Sequence, residues 1–173
     1  MQTKIFNYAL YHSGVFDQNI IDISIIVFAF IYNILIITIF ILRANEWYSY
    51  EEKIGPFFDS LFIPFSILFI FNIANHTDLG RVGTIIPMIL YLLYDIWYRQ
   101  LNKRKPRHHP EKMPKMLILY IFLFYFAGMA ITGYTFIVSK TYGYFILLIF
   151  MCSIGAYFYY QIKYSKKRSN LLI

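Results

Sequence analysis

The stretch I-I-D-I-S-I-I-V-F-A-F-I-Y-N-I-L-I-I-T-I-F-I-L, from Ile20 to Leu42, contains a single charged residue, Asp22. About 20 helical residues cross the 30 Å hydrocarbon core of a bilayer, so an uninterrupted apolar run of this length predicts a membrane-spanning helix. Arg43 follows the run directly. The stretch therefore predicts that the fold is built around a helix that crosses a membrane.

Four further apolar runs follow along the chain of 173 residues, of which 59% are hydrophobic and 14% charged. Soluble proteins average about 25% charged residues. The five runs, numbered as spans one to five, are Ile20 to Leu42, Phe57 to Ile73, Val82 to Tyr98, Met116 to Val138 and Thr141 to Ile162. The sequence predicts an all-α polytopic membrane protein with about five transmembrane helices.

Spans two and three are the shortest, and each contains an acidic residue and a proline, Pro64 or Pro87. Prolines are tolerated in membrane helices where neighbouring groups satisfy the freed carbonyl, which favours two full crossings. A re-entrant pair, which would leave four spans, is the alternative.

Basic residues predict the orientation. Seven of the sixteen Lys and Arg residues lie between spans three and four, in Arg99 to Lys115, and four more follow span five, in Lys163 to Arg168. Short loops rich in Lys and Arg stay on the cytoplasmic side, and two spans separate these segments, so both face the same side. Arg43 to Pro56 is then also inside, and the N-terminus is outside.

The predicted organisation is an extracytoplasmic segment, residues 1–19, a helical membrane domain, residues 20–162, and a basic cytoplasmic tail, residues 163–173. The first twenty residues have neither the apolar core nor the cleavage site of a signal peptide. Inward-facing basic loops suit a bacterial or archaeal plasma membrane, with an organellar inner membrane as the alternative.

The basic loop, residues 99–115, predicts contact with anionic lipid head groups, at roughly 1 kcal/mol per basic residue near the surface. Prolines at 106, 110 and 114 keep it extended, which equally suits a groove on an acidic cytosolic partner. Nucleic-acid binding is not expected, because the loop has no aromatic residue on which a base could stack. Its basic residues are Arg99, Lys103, Arg104, Lys105, Arg107, Lys112 and Lys115.

Polar residues within spans are functional candidates, because charges in a bilayer are costly. One interpretation is a transport path or substrate cavity, extended by the tyrosines at 91, 94 and 98. The other is structural pairing, such as Asp95 with Arg99 at the i,i+4 spacing. The intramembrane polar candidates are Asn33, Asp59, Asn72 and Asp95.

One interpretation of the outer side is a metal site, since two histidines and three carboxylates would meet Arg81 if the N-terminal segment folded over residues 72–83. These candidates are His12, Asp17, Asp22, His76 and Asp78. The alternative is a polar turn in which Asp78 or Thr77 caps span three. No cofactor is predicted, because one cysteine cannot form a Cys cluster and all four histidines fall outside the spans.

Small residues predict close packing of spans four and five, since they let membrane helices approach each other. The candidates are Gly128, Thr132 and Gly133 in span four and Ala156 in span five. The short connection at residues 139–140 makes these two spans antiparallel neighbours.

Three functions follow from these features. The first is a non-catalytic subunit that anchors or organises a larger homo- or hetero-oligomeric membrane assembly, and contacts anionic lipid or a cytosolic partner through the basic loop. The second is a small oligomeric channel or transporter. The third is a lipid-modifying enzyme, which is less favoured because the sequence lacks the H-E-x-x-H, G-x-S-x-G and phosphate-loop motifs.

Overall fold

The computed structural model describes residues 17–75, 77–98 and 115–171, without the side chains of residues 117 and 164–171. These ranges form helices and contain no strand. The helices are α1 Gln18–Ala44, α2 Tyr48–Ser60, α3 Phe62–Ala74, α4 Leu79–Ile96, α5 Lys115–Val138 and α6 Lys140–Leu171.

Five helical stretches in the described ranges are long and apolar enough to cross a membrane, which agrees with the all-α class and the count predicted from sequence. They are Gln18–Ala44, Tyr48–Ala74, Leu79–Ile96, Ile118–Val138 and Lys140–Lys163. The second stretch joins α2 and α3.

The second stretch begins earlier than predicted, because residues 48–56, assigned to a connection, are already helical. Its helix is interrupted at Leu61, whose N–H bonds to the carbonyl of Phe58 at 3.2 Å, three residues back. Pro64 explains the break, since it has no N–H to donate to the carbonyl of Ser60 and its ring crowds that carbonyl.

A tight turn between α1 and α2 sends the chain back along α1. The N–H of Trp47 donates to the carbonyl of Leu42 at 2.9 Å, and the N–H of Glu46 donates to that of Arg43 at 3.1 Å. This is the bond pattern of a Schellman motif. Glu46 has the required positive φ of 59°. The turn brings the start of α2 back beside the last turn of α1.

Helix α1 lies at the centre of the bundle and contacts α2, α3, α5 and α6, while α4 packs against α3 and α5. Its middle carries fully buried apolar side chains, among them Ile25 and Ala29. The ring of Phe28 stacks on that of Phe65 in α3, with centroids 4.2 Å apart. This apolar layer separates two polar regions, one at each end of the bundle.

Helices α5 and α6 approach closely at Gly128, which lies against the ring of Phe150. The hydroxyl of Thr132 donates to the carbonyl of Gly128 at 2.8 Å and is buried. Gly133 faces another helix, since a Cβ there would lie 3.7 Å from Cγ2 of Thr84 in α4. Ala156 is partly buried against the core. The small residues of α5 thus allow close packing against two helices, α6 and α4.

Replacing Gly128 by alanine should lower the free energy of unfolding by about 1–3 kcal/mol, the usual cost of overpacking. A Cβ at this position would overlap the ring of Phe150 at Cε2. Gly155→Ala in α6 is the matched control, because no heavy atom outside the adjacent residues and the backbone of its own helix lies within 4 Å of its Cβ. Alanine there is expected to be neutral or stabilising, since it favours helix. Thermal unfolding in detergent compares the two, and equal midpoints would contradict the close contact.

Candidate functional site

One polar region lies where the first turns of α1 and α4 meet the last turns of α3 and α5, and we name it the Asp22 cluster (Gln18, Asp22, Asn72, Arg81 and Tyr134). Asp22 is 5% exposed. Its carboxylate accepts from Nη1 of Arg81 at 3.0 and 3.2 Å and from the hydroxyl of Tyr134 at 2.6 Å. Nε2 of Gln18 donates to it at 2.8 Å. One carboxylate therefore joins three helices.

The start of α4 positions Arg81. Asp78 caps this helix, since its Oδ1 accepts from the backbone N–H of Arg81 at 3.0 Å, which confirms one of the two predicted caps. Its Oδ2 lies 3.5 Å from Nε of Arg81. Thr77 instead donates its hydroxyl to the backbone carbonyl of Asn72. The guanidinium thus lies between a buried carboxylate and an exposed one.

Asn72 completes the cluster from α3. Its buried side-chain oxygen lies 3.2 Å from Nε2 of Gln18, 3.3 Å from the hydroxyl of Thr77 and 3.4 Å from that of Tyr134. Its Nδ2 donates to the carbonyl of Leu68 at 3.1 Å. Most donors and acceptors in the cluster are matched with each other, while the buried Nε of Arg81 makes no hydrogen bond beyond its 3.5 Å ion-pair contact with Asp78. Such a network locks helices together, and it gives Asp22 the surroundings of a structural ion rather than of a general base.

The predicted metal candidates are only partly gathered here. Asp22 and Asp78 both face Arg81, while Asp17 caps α1 by accepting from the N–H of Asn19 at 2.9 Å. His12 and His76 lie outside the described residues. Within residues 17–75, 77–98 and 115–171, no group of three or more potential metal ligands is found.

The second polar region is at the opposite end of the bundle, around a cavity of about 40 Å³ that we name the Asp95 cavity. It lies among the last turns of α1 and α4, the middle of α6, the first turns of α5, and α2. Its walls are formed by Ile36, Ile39, Phe40, Arg43, Phe58, Tyr91, Asp95, Tyr120, Ile121, Phe124, Tyr125, Tyr157 and Tyr160. Asp95 is 1% exposed.

An ion pair closes one side of this cavity. Nε and Nη2 of Arg43 donate to the same carboxylate oxygen of Glu51, at 2.9 and 2.8 Å, and both side chains are buried. The Schellman turn at Glu46 makes this contact possible, because it returns α2 alongside α1. Arg43 also suits the last turn of α1, where the helix dipole favours a cation.

The predicted tyrosine stripe packs between helices on this side. The rings of Tyr91, Tyr94 and Tyr98 lie 5.6, 6.4 and 5.7 Å from that of Tyr120 in α5, centroid to centroid. The hydroxyls of Tyr91 and Tyr120 are 3.0 Å apart, and that of Tyr94 donates to the carbonyl of Met116 at 2.9 Å. The stripe joins α4 to α5, and Tyr91 and Tyr120 also line the cavity.

The four intramembrane polar candidates do not lie together. Asn72 belongs to the Asp22 cluster and Asp95 to the cavity at the other end. Asn33 lies between them, with its Nδ2 donating to the carbonyl of Ala29 at 2.8 Å. Asp59 is half-buried on α2. The predicted path through these four residues stays a prediction.

Sequence reasoning missed Tyr134, Gln18 and the pairing of Arg43 with Glu51. Tyr134 is one of seventeen tyrosines, so its residue type carries no signal. Arg43 and Glu51 are eight residues apart across a turn, a separation that no helical periodicity marks. The basic-loop residues 99–114 lie outside the described residues, and Lys115 begins α5 with an exposed side chain.

No protein-family model, no curated protein and no solved structure matches this chain.

Proposed function

We propose that the chain is an integral membrane protein with five crossings, which anchors or organises a larger homo- or hetero-oligomeric membrane assembly without catalysing a reaction. The basic loop and tail face the cytoplasm in this proposal, and the N-terminus is outside. The Asp22 cluster is then at the outer interface and the Asp95 cavity at the inner one.

The outer surface of the bundle supports the membrane assignment. Large apolar side chains are exposed on every spanning stretch, for example Ile20 at 64%, Ile70 at 59%, Leu90 at 51%, Met129 at 65% and Leu148 at 64%. Soluble monomers rarely expose contiguous apolar surface on this scale. Hydrocarbon tails would cover these side chains without cost.

The spacing of the ion pairs supports the same assignment. Asp22 and Arg43 are 21 positions apart on α1, which corresponds to about 31 Å at 1.5 Å per residue. That length matches the 30 Å hydrocarbon core. The buried charges are thus placed near the two interfaces, and the layer between them is mainly apolar, with Asn33 as a buried amide.

The pairing of the buried charges carries the non-catalytic part of the proposal. Asp22 is engaged by Arg81 from α4, and Arg43 by Glu51 from α2. A catalytic acid or nucleophile must instead face a substrate. Both pairs join helices, as expected of a rigid support, and the layer between them is mainly apolar with Asn33 as a buried amide, which favours this role over a channel within one protomer.

The test is native mass spectrometry of the full-length protein extracted in nanodiscs. A second protein in fixed stoichiometry would support the anchoring role. A variant with Lys103, Arg104 and Lys105 changed to glutamine should then lose that protein. The control is Lys140→Gln, at the start of α6 and on the side of the bundle away from the basic tail, which should keep it. A homo-oligomer that conducts ions in liposomes would support the channel instead, and a monomer that turns over lipid would support the enzyme.

Cysteine labelling tests the proposed orientation of the chain in the membrane. In a Cys152→Ser background, single cysteines placed at Asp17 and at Lys105 should react differently with a membrane-impermeant maleimide. Asp17→Cys is expected to be labelled in intact cells and Lys105→Cys only after lysis. The reverse pattern would contradict the proposed sidedness.

A further inference from the structure

The break between α2 and α3 leaves two backbone carbonyls without the N–H that a continuous helix supplies. The N–H of Leu61 bonds to the carbonyl of Phe58, three residues back, rather than to that of Phe57. Pro64 has no N–H for the carbonyl of Ser60. We propose that the face of the bundle around this break binds a transmembrane helix of another protein, which donates a serine or threonine hydroxyl to the carbonyl of Ser60.

A side chain replaces one of the two missing donors. The hydroxyl of Ser60 donates to the carbonyl of Phe57 at 2.7 Å. A hydroxyl has a single hydrogen to donate, so this bond uses it up. The N–H of Phe65, the first beyond Pro64, donates to the carbonyl of Leu61 at 3.2 Å. The break therefore leaves an acceptor at Ser60 whose helical donor has no replacement at Ser60, Pro64 or Phe65.

The depth of this carbonyl in the proposed membrane arrangement keeps it away from water. Ser60 follows Glu51, at the inner end, by nine positions and precedes Asn72, at the outer end, by twelve. At 1.5 Å per residue, it lies about 14 Å from one end and about 18 Å from the other. The middle of a bilayer contains no water that could donate to the carbonyl, and an unsatisfied backbone group is costly there. The carbonyl of Ser60 therefore favours a donor that comes from protein.

The surface around this carbonyl is open to another helix. Ser60 and Pro64 are exposed. Phe57, Ile63 and Ile67 are 55%, 63% and 45% exposed. Their spacing of three and four positions places these residues on one helix face. In a helix, the carbonyl of a residue points towards the residues three and four positions on, so that of Ser60 opens onto this apolar face.

The candidate occupants of this face differ in the donors that they bring. Lipid tails bring none. Two copies of the chain that met through this face would bring two acceptors and no spare donor, because the hydroxyl of Ser60 is used in each copy. A helix of another protein can present a hydroxyl at this depth, and serine and threonine are enriched where membrane helices pack. This contact locates a partner surface for the anchoring role proposed above, on which it depends.

Crosslinking of the full-length protein in native membranes tests the face. The photoreactive residue p-benzoylphenylalanine replaces Ile63 in one variant and Leu148, on α6, in the other, because these side chains are 63% and 64% exposed. The variant at position 63 should crosslink to the second protein that native mass spectrometry detects, and the variant at position 148 should not. Crosslinks from both positions, from neither, from 148 alone, or between two copies of the chain would overturn the proposal.

A pair of proline variants tests the hydrogen bond. Pro64→Leu supplies an N–H to the carbonyl of Ser60 and keeps the face apolar. The dissociation constant of the complex in detergent should therefore rise roughly three- to tenfold, as expected for one interhelical hydrogen bond. Pro56→Leu is the matched control and should leave it unchanged, because the carbonyl that Pro56 deprives of a donor lies one residue from Glu51, where water is available.

The outcomes separate this contact from the anchoring role itself. An unchanged dissociation constant in Pro64→Leu would exclude the hydrogen bond to Ser60. If Pro64→Leu does not fold, the crosslinks from position 63 decide alone. A parent protein that retains no second protein would overturn the contact, and one that is also monomeric would overturn the anchoring role.

Discussion

Replacing Arg81 by methionine is expected to lower the free energy of unfolding by about 3–5 kcal/mol, the usual cost of leaving one partner of a buried ion pair uncompensated. Asp22 would keep the hydrogen bonds from Tyr134 and Gln18 but lose the only cation that contacts its carboxylate within the described ranges. The methionine side chain fills much of the space of the arginine stem, so lost packing contributes little to the change in the free energy of unfolding. Equilibrium unfolding in mixed micelles measures the change.

Two further variants separate charge from packing. Asp22→Asn combined with Arg81→Met removes both charges, and it should regain a large part of the loss, because no buried ion is left unpaired. Asp78→Asn should change the free energy by less than about 1 kcal/mol, since this carboxylate is 61% exposed and asparagine also caps helices. A double variant as unstable as Arg81→Met would refute the ion-pair explanation.

Replacing Glu51 by leucine should also lower the free energy of unfolding by about 3–5 kcal/mol. The change leaves the buried guanidinium of Arg43 without the carboxylate that it pairs with. Both side chains are less than one tenth exposed, and the pair holds α2 against the last turn of α1. The same change should disturb the Asp95 cavity, since Arg43 forms part of its wall.

Glu52→Leu is the matched control, because Glu52 is the next residue on α2 and is exposed. Glu52→Leu should change the free energy of unfolding by no more than about 0.5 kcal/mol, as for most surface substitutions. Unfolding of both variants is followed by loss of helical circular dichroism in detergent. Equal losses for Glu51→Leu and Glu52→Leu would show that the buried pair contributes no stability of its own.

The fold class was well predicted from the sequence, because hydropathy over about 20 residues reflects the free energy of moving that segment from water into a bilayer. This free energy depends little on which other helices pack against the segment. The predicted span from Ile20 to Leu42 and the observed helix Gln18–Ala44 differ by two residues at each end. The start of α2 was missed for the opposite reason. Residues 48–56 include three charged residues, so hydropathy does not mark them as part of a span, and the contact of Glu51 with Arg43 follows no helical periodicity.

The candidate sites were harder to predict, because they depend on contacts between residues far apart in sequence. Asp22, Asp78 and Arg81 were grouped with His12, Asp17 and His76 as a candidate metal site, and these three meet as ion pairs of Arg81. Asn72 and Asp95, which were predicted to line one path, lie at opposite ends of the bundle, and the path stays a prediction. A periodicity within one helix indicates which face a residue occupies, but not which helix lies opposite.

The Asp22 cluster also constrains how the protein is made. Arg81 follows Asp22 by 59 residues and Tyr134 follows it by 112, so both partners are synthesised after α1. At about 5–20 residues per second, Arg81 appears roughly 3–12 s later and Tyr134 roughly 6–22 s later. During this interval, Asp22 must be kept hydrated or held by another protein. Closure of this end of the bundle is therefore a late step of biogenesis, which a ribosome-bound chain ending before Tyr134 could not complete.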